Sequence, residues 1–193
     1  MWVQPVSRQG AFADLDVWHG AGTLARGVGL KAATVLSMFG PLGDKVTVSM
    51  AASPEKVWAL VADVTRIGEF SPETFEAEWL GRAKTGTPGV GSHFRGHVNR
   101  NQKGVIYWTV CKVVEYDEPR AFGFAVILRG RAVNTWRYRI TPTAAGCDVT
   151  ESFELDNNPF SRIYWTVAGR WRGRTNIDGM QQTLERIKAV VEA

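Results

Sequence analysis

KVTVSMAASPEKVWALVADV, residues 45–64, carries the two signals that decide the fold. Val46, Val48 and Met50 alternate with Thr47 and Ser49, the two-residue period of a strand with one buried face. At Ser53-Pro54-Glu55 the period changes. Serine accepts from the free amides of a helix start, proline suits the first helical position, and glutamate favours the positive end of the helix dipole. Val57, Leu60, Val61 and Val64 then recur at helical spacing. This stretch therefore predicts a strand that runs into a short helix.

Downstream of Pro72 the pattern returns to strands, near Phe75 to Leu80, Gly91 to Asn99, Val105 to Tyr116, Ala121 to Leu128, Asn134 to Pro142 and Cys147 to Leu155. The breaks carry turn residues: Thr87-Pro88-Gly89, Asp117-Glu118-Pro119 and Ala144-Ala145-Gly146. Such short connections join antiparallel neighbours, because a parallel pair needs a long crossover. Asn157-Asn158-Pro159 repeats the cap-and-proline signal. Phe160, Ile163, Val167, Trp171, Ile177, Met180, Leu184, Ile187 and Val191 then predict one long helix to the C terminus, with glycines at 169, 173 and 179 that permit a bend. The fold class is α+β: an antiparallel meander closed by a C-terminal helix.

The 193 residues suit one domain with a sizeable core. Residues 1–44 hold glycines at 10, 20, 22, 27, 29, 40 and 43, and show only a weak stripe of Leu24, Val28, Val35 and Phe39. They read as an N-terminal extension, poorly ordered or weakly helical, ahead of a domain over 45–193. A membrane-surface role for that stripe stays open. No run approaches the roughly 20 apolar residues of a bilayer span, and no leader pattern opens the chain. Two cysteines, Cys111 and Cys147, without metal-ligand spacing, point to a reducing, cytoplasmic setting.

The net charge of +4 allows attraction to anionic partners. Its arginines gather at 129, 131, 137 and 139, then at 162, 170, 172 and 174. A phosphate-cradling loop, a dinucleotide fingerprint, a nucleophile elbow and a zinc-protease motif are all missing, so neither cofactor nor metal is expected. His93 and His97 stand about 13 Å apart if they lie on a strand, too far to share an ion.

Several short pieces in joint order carry a family resemblance: Ala52-Ser53-Pro54-Glu55-Lys56-Val57-Trp58 with Asp63, Phe70-Ser71-Pro72, Gly89-Val90-Gly91, Trp108-Thr109-Val110 with Val113-Val114-Glu115, Thr135-Trp136-Arg137-Tyr138, Gly146 to Ser152, and Met180 to Leu184. Over about residues 45–193 the chain resembles the START-like helix-grip superfamily, and within it the polyketide cyclase/dehydrase and lipid-transport group. The resemblance implies a seven-stranded antiparallel sheet curled around the long C-terminal helix, two short helices after the first strand, and an apolar cavity for lipids, polyketides or similar molecules. It carries no universal catalytic residue, so chemistry has to come from the site.

Strand alternation nominates the cavity face. Phe75, Ala77 and Trp79 form one set, with Phe94, Gly96 and Val98 on the next strand. Phe122, Phe124, Val126 and Leu128 share a phase, as do Trp136, Tyr138 and Ile140, and Val149, Phe153 and Leu155. Val105 to Tyr116 is apolar on both faces, which leaves its phase open. Glu151 falls in apolar phase, and Arg174 lies three residues from both Trp171 and Ile177 on the helix. A charge buried without a partner costs several kcal/mol, so Glu151 and Arg174 are expected either to meet or to hold the polar end of a ligand. The alternative places Glu151 at a strand end near solvent and turns Arg174 outward.

The candidate ligand-binding residues are thus Phe94 and Val98; Phe122, Phe124 and Val126; Trp136, Tyr138, Glu151 and Phe153; and Trp171, Arg174 and Ile177. Binding or transport of a small hydrophobic ligand is the leading expectation. A cyclase or dehydratase would use Glu151, Tyr138 or His97 for proton transfer. A third reading is a basic module docking on an anionic membrane or RNA, although alternation at 136 to 139 puts aromatics and arginines on opposite faces, against a specific nucleic-acid site. Peripheral membrane contact and the oligomeric state stay open.

Overall fold

The computed structural model describes residues 42–99, 105–156 and 159–193, with side chains in the last helix described from Thr175 onward. The alternating stretch is strand β1, Gly43–Met50, and the capped stretch is helix α1, Pro54–Val61. The Ser53 side chain accepts from the Lys56 amide at 3.3 Å, and Pro54 occupies the first turn. The helix buries Val57, Trp58, Leu60 and Val61. Because the cap satisfies an otherwise free amide, Ser53→Ala is expected to lower stability by about 1 kcal/mol; an unchanged urea midpoint would show that the cap does not hold α1. A 3₁₀ turn, Val64–Glu69, follows. Asp63 caps it, accepting from the Thr65 amide at 3.1 Å and from the Thr65 hydroxyl at 2.6 Å. These are the two short helices expected after the first strand.

Six further strands complete one sheet: β2 Thr74–Leu80, β3 His93–Asn99, β4 Ile106–Asp117, β5 Ala121–Leu128, β6 Arg131–Thr143 and β7 Gly146–Leu155. Their order is β1-β7-β6-β5-β4-β3-β2, with every neighbouring pair antiparallel. Consecutive strands pair as a meander, and β1 joins the last strand. The β5–β6 hairpin turns on Arg129 and Gly130 with φ of 51° and 76°, the two positive values of a type I′ turn. On the outer face Arg137 bonds Glu154 at 3.0 Å and approaches Glu115 at 3.6 Å, while Arg139 bonds Glu115 at 3.0 Å.

Helix α2, Pro159–Glu192, is about 50 Å long at 1.5 Å per residue. It rests on β1 and β7. Met180, Leu184, Ile187 and Val191 are buried at three- and four-residue spacing. Its last turns are tied to both sheet edges. Glu192 accepts from the Ala51 amide at 2.7 Å and Lys188 donates to the Ser49 carbonyl at 3.0 Å, beside β1; Arg186 donates to the Ser71 carbonyl at 3.2 Å, ahead of β2. With α1 over the same end, Met50, Val113, Phe122, Ile140, Cys147 and Val149 close a dense core. The described residues belong to the unit Gly40–Ala193. The expected extension over 1–44 lies mostly outside them, and the strand begins at Gly43.

Register shifts fall between Thr74 and Glu76, Val113 and Glu115, and Val126 and Ile127, and the first revises a strand phase. Between Thr74 and Glu76 the β2–β3 register shifts, so Phe75 turns outward, is 48% exposed and packs on His97 at 4.5 Å. The shift between Val126 and Ile127 puts its extra residue, Val133, on β6, so Leu128 keeps the phase of Val126 and is exposed because it ends β5 at the hairpin. An extra residue on one strand reverses the side-chain alternation beyond it, which simple counting misses.

Candidate functional site

Between the concave face of the sheet and the Thr175–Thr183 part of α2 lies a cavity of about 190 Å³. Its walls come from cross-strand partners on one face. Tyr138 pairs with Glu151, Trp136 with Phe153 and Phe124, and Asn134 with Leu155 and Val126. Next to these come Cys111 opposite Phe94, Thr109 opposite Gly96 and Tyr107 opposite Val98. Asn176, Gly179, Met180 and Thr183 face them from the helix. Trp136 and Phe153 hold their rings 4.8 Å apart, and Phe94 and Phe124 meet edge-on at 5.2 Å, arrangements favoured by the ring quadrupoles.

Along β6 and β7 the lining is ordered. Tyr138 and Glu151 stand at the inner end, against the core closed by α1 and the end of α2. The Trp136 and Phe153 rings follow, then Asn134 and Leu155 toward the outer end, where Tyr107 is exposed.

Glu151 is 4% exposed. Tyr138 donates to its Oε1 at 3.0 Å, while Oε2 has no partner. Burial pushes the Glu151 carboxyl up to about 8, against the opposing pull of the Tyr138 hydrogen bond, so the group is mainly protonated at neutral pH. Burial, and then the neighbouring carboxylate, raise the Tyr138 phenol well above its ordinary value. Oε2 is buried as well, so the carboxyl is sealed behind the lining with Tyr138 as its one described hydrogen-bond partner. Asn134 Oδ1 is a second buried lining atom without a partner. The Thr109 and Thr183 hydroxyls are satisfied, donating to the Gly96 carbonyl at 3.3 Å and the Gly179 carbonyl at 2.9 Å. Burial raises the Cys111 thiol to about 12, which makes it an apolar wall and not a thiolate nucleophile.

Eight of the residues nominated from sequence come together at this lining: Phe94, Val98, Phe124, Val126, Trp136, Tyr138, Glu151 and Phe153. Three do not. Phe122 is buried beneath α1, edge-on to Trp58 at 6.4 Å and Tyr116 at 6.1 Å, so it fills core. Ile177 is 41% exposed; by helical phase it sits at the rim of the buried arc, outside the face that carries Asn176, Gly179 and Thr183. His97 points outward, stacked on Trp108 at 4.2 Å and 3.3 Å from Glu76, because Gly96 and Val98 take the inner phase. The side chains of Trp171 and Arg174 lie outside the described residues. Among the described lining residues Glu151 meets Tyr138, not a cation.

Asn134, Thr109 and Thr183 were not anticipated. Asn134 could have been, since it shares the two-residue phase of Trp136 and Tyr138. For β4 the signal was Lys112, which marks the outer face and places Thr109 and Cys111 inside. The helix residues had no such marker. Among the described residues no cluster of three metal-ligating side chains occurs.

Residues 45–192 match the model of a family described as polyketide cyclase / dehydrase and lipid transport. No curated protein matches the chain. Among solved structures, a Polyketide_cyc-like protein from Corynebacterium glutamicum is 28% identical, with 78% of this chain and 91% of that one covered and a TM-score of 0.54. A protein from Chromobacterium violaceum is 17% identical over 79% of this chain and 99% of its own, with a TM-score of 0.55. The di-domain ARO/CYC StfQ from the steffimycin biosynthetic pathway is 12% identical over 90% of this chain and 62% of its own, with a TM-score of 0.63; at that identity the likeness concerns the fold.

Proposed function

The chain belongs to the polyketide cyclase / dehydrase and lipid transport family, and from that premise we propose that it binds a small hydrophobic molecule in the cavity between the sheet and α2, as a carrier or sequestering protein. The observation that supports this best is the aromatic-walled cavity between the sheet and α2, with the buried Glu151–Tyr138 pair at its inner end. Apolar concave sites with few polar groups are the usual architecture for small ligands. A cytoplasmic carrier fits the two buried, unpaired cysteines; no described helix is long and apolar enough to cross a membrane. A thermal-shift screen of hydrophobic compounds tests the reading. Members of the panel are expected to raise Tm in proportion to the logarithm of their concentration once above Kd. A flat response across the panel would count against it.

The protonated Glu151 beside Tyr138 also favours a second reading, an enzyme of the cyclase or dehydratase kind in which Glu151 supplies the proton. In that case Glu151→Gln keeps ligand affinity and loses conversion of the bound molecule, followed by liquid chromatography and mass spectrometry. Conversion that persists in the variant would remove Glu151 from such a role. A basic docking surface draws less support, because Arg137 and Arg139 are matched by Glu115 and Glu154.

A further inference from the structure

Large apolar side chains left exposed gather at the outer end of the sheet. Val105, Ile106, Tyr107 and Trp108 follow one another into β4 and are all exposed, Val105 to 82%. Leu128, 62% exposed, ends β5, and Phe75 lies at the start of β2. Strand pairing sets them along one rim. Trp108 pairs with His97, whose ring lies 4.5 Å from that of Phe75, and Val110 pairs with Ile127, the neighbour of Leu128. Tyr107 belongs to two surfaces, since it also lines the cavity.

The rim departs from strand alternation. A strand with one buried face points successive side chains to opposite sides, yet here four consecutive apolar residues are exposed, so both faces of the strand end are uncovered. Leu128 adds a tip, because β5 and β6 are joined by the tight Arg129-Gly130 turn. A flat protein surface covers one side of such a protrusion. A bilayer surrounds it, taking tryptophan and tyrosine at headgroup level and aliphatic side chains below. Charge agrees with this. Arg129 and Arg131 flank the tip, exposed and without an ion pair among the described residues, unlike Arg137 and Arg139. Glu76 and Glu154 nearby are held by His97 and Arg137. Arginines so placed are drawn to anionic lipid headgroups.

We propose that the rim formed by the start of β4 and the β5–β6 hairpin docks on the surface of an anionic lipid bilayer. Ile106, Trp108 and Leu128 enter the interface, Arg129 and Arg131 meet the phosphates, and the Tyr107 side of the cavity turns toward the lipid. Docking stands without a bound ligand. Only the passage of an apolar molecule from bilayer to cavity rests on the ligand-binding reading.

Flotation of the full chain with vesicles of phosphatidylcholine, and of an equal mixture of phosphatidylcholine and phosphatidylglycerol, tests the docking. The protein is expected to float with the mixed vesicles, and added salt to weaken that binding. A double variant, Ile106→Ser with Leu128→Ser, is expected to bind about tenfold or more weakly. Its Tm is expected to stay unchanged, since both side chains are exposed in the free protein. Arg129→Glu with Arg131→Glu is expected to lose the preference for the mixed vesicles. Val90→Ser with Val114→Ser removes exposed apolar surface away from the rim and is expected to bind as the wild type does. The proposal is overturned if the wild type stays unbound, or if the serine variant of the rim floats as well as the wild type, which puts the contact elsewhere in the chain. A dimer in solution that the same variant dissociates assigns the rim to a second copy and overturns it too. Thermal shifts with hydrophobic compounds report the cavity separately, so either reading can fail alone.

Discussion

Glu151→Gln is expected to stabilise the protein by about 5 kcal/mol at pH 9 relative to its effect at pH 4. The wild-type carboxyl is 4% exposed, and burial moves its pKa from 4.5 in the free group to about 8. Each tenfold change in proton affinity is worth about 1.4 kcal/mol. Between those two values the folded protein binds more protons than the unfolded chain, so stability falls as pH rises. Below pH 4.5 both states are protonated and nothing is lost; above about 8 the full cost is present. Glutamine keeps the acceptor for Tyr138 and removes the charge. Urea midpoints measured across this range should therefore diverge for the two proteins with increasing pH. Parallel curves would show that Glu151 is not isolated from water as the geometry implies.

The second large effect concerns Gly179. It lines the cavity, and a Cβ built there meets no atom within 4 Å. A side chain at this position enters open space and also replaces the poorest interior helix former other than proline. Gly179→Phe is expected to lower ligand affinity by about a hundredfold, roughly 2.7 kcal/mol, with Tm unchanged or higher. Gly179→Ala is the companion variant, gaining up to about 1 kcal/mol of stability while still binding ligand. Equal affinity in the phenylalanine variant would place the ligand elsewhere; a lower Tm would mean that the space beside Gly179 is not open.

Much of the fold was legible because local signals agreed with one another. The alternation at Val46, Val48 and Met50, the Ser53-Pro54 cap and the stripe of Met180, Leu184, Ile187 and Val191 each report a short-range preference that packing then uses. Much of the cavity was legible for the same reason, since period-two counting places Phe94, Trp136, Glu151 and Phe153 on one face. The failures arose where a longer-range fact intervened. Phe75 follows a register shift that no count of alternation contains, and Leu128 has the inner phase but ends its strand at the exposed hairpin. Phe122 has the right phase, but α1 covers it, and only the tertiary fold decides which end of a strand meets a helix. His97 was nominated for its chemistry although its phase pointed outward, and the phase prevailed.

Tyr138 as a partner of Glu151 shows the same limit. Sequence marked the carboxyl as out of place in an apolar strand, and left open whether it meets Arg174, holds the polar end of a ligand or reaches solvent at the strand end. In the structure Tyr138, directly across the strand pair, donates to one oxygen; the side chain of Arg174 lies outside the described residues, so that pairing is untested. The cross-strand neighbour depends on register, which the hairpin fixes and the sequence pattern of one strand does not.

Native mass spectrometry of the wild-type protein and of Gly179→Phe, purified side by side and sprayed under the same conditions, tests the central claim most directly. The wild type is predicted to carry a small-molecule adduct that is released at higher collision energy and is absent from the variant. An adduct retained equally by both proteins, or a wild type that stays bare even after incubation with hydrophobic compounds, would contradict a ligand-binding cavity between the sheet and α2.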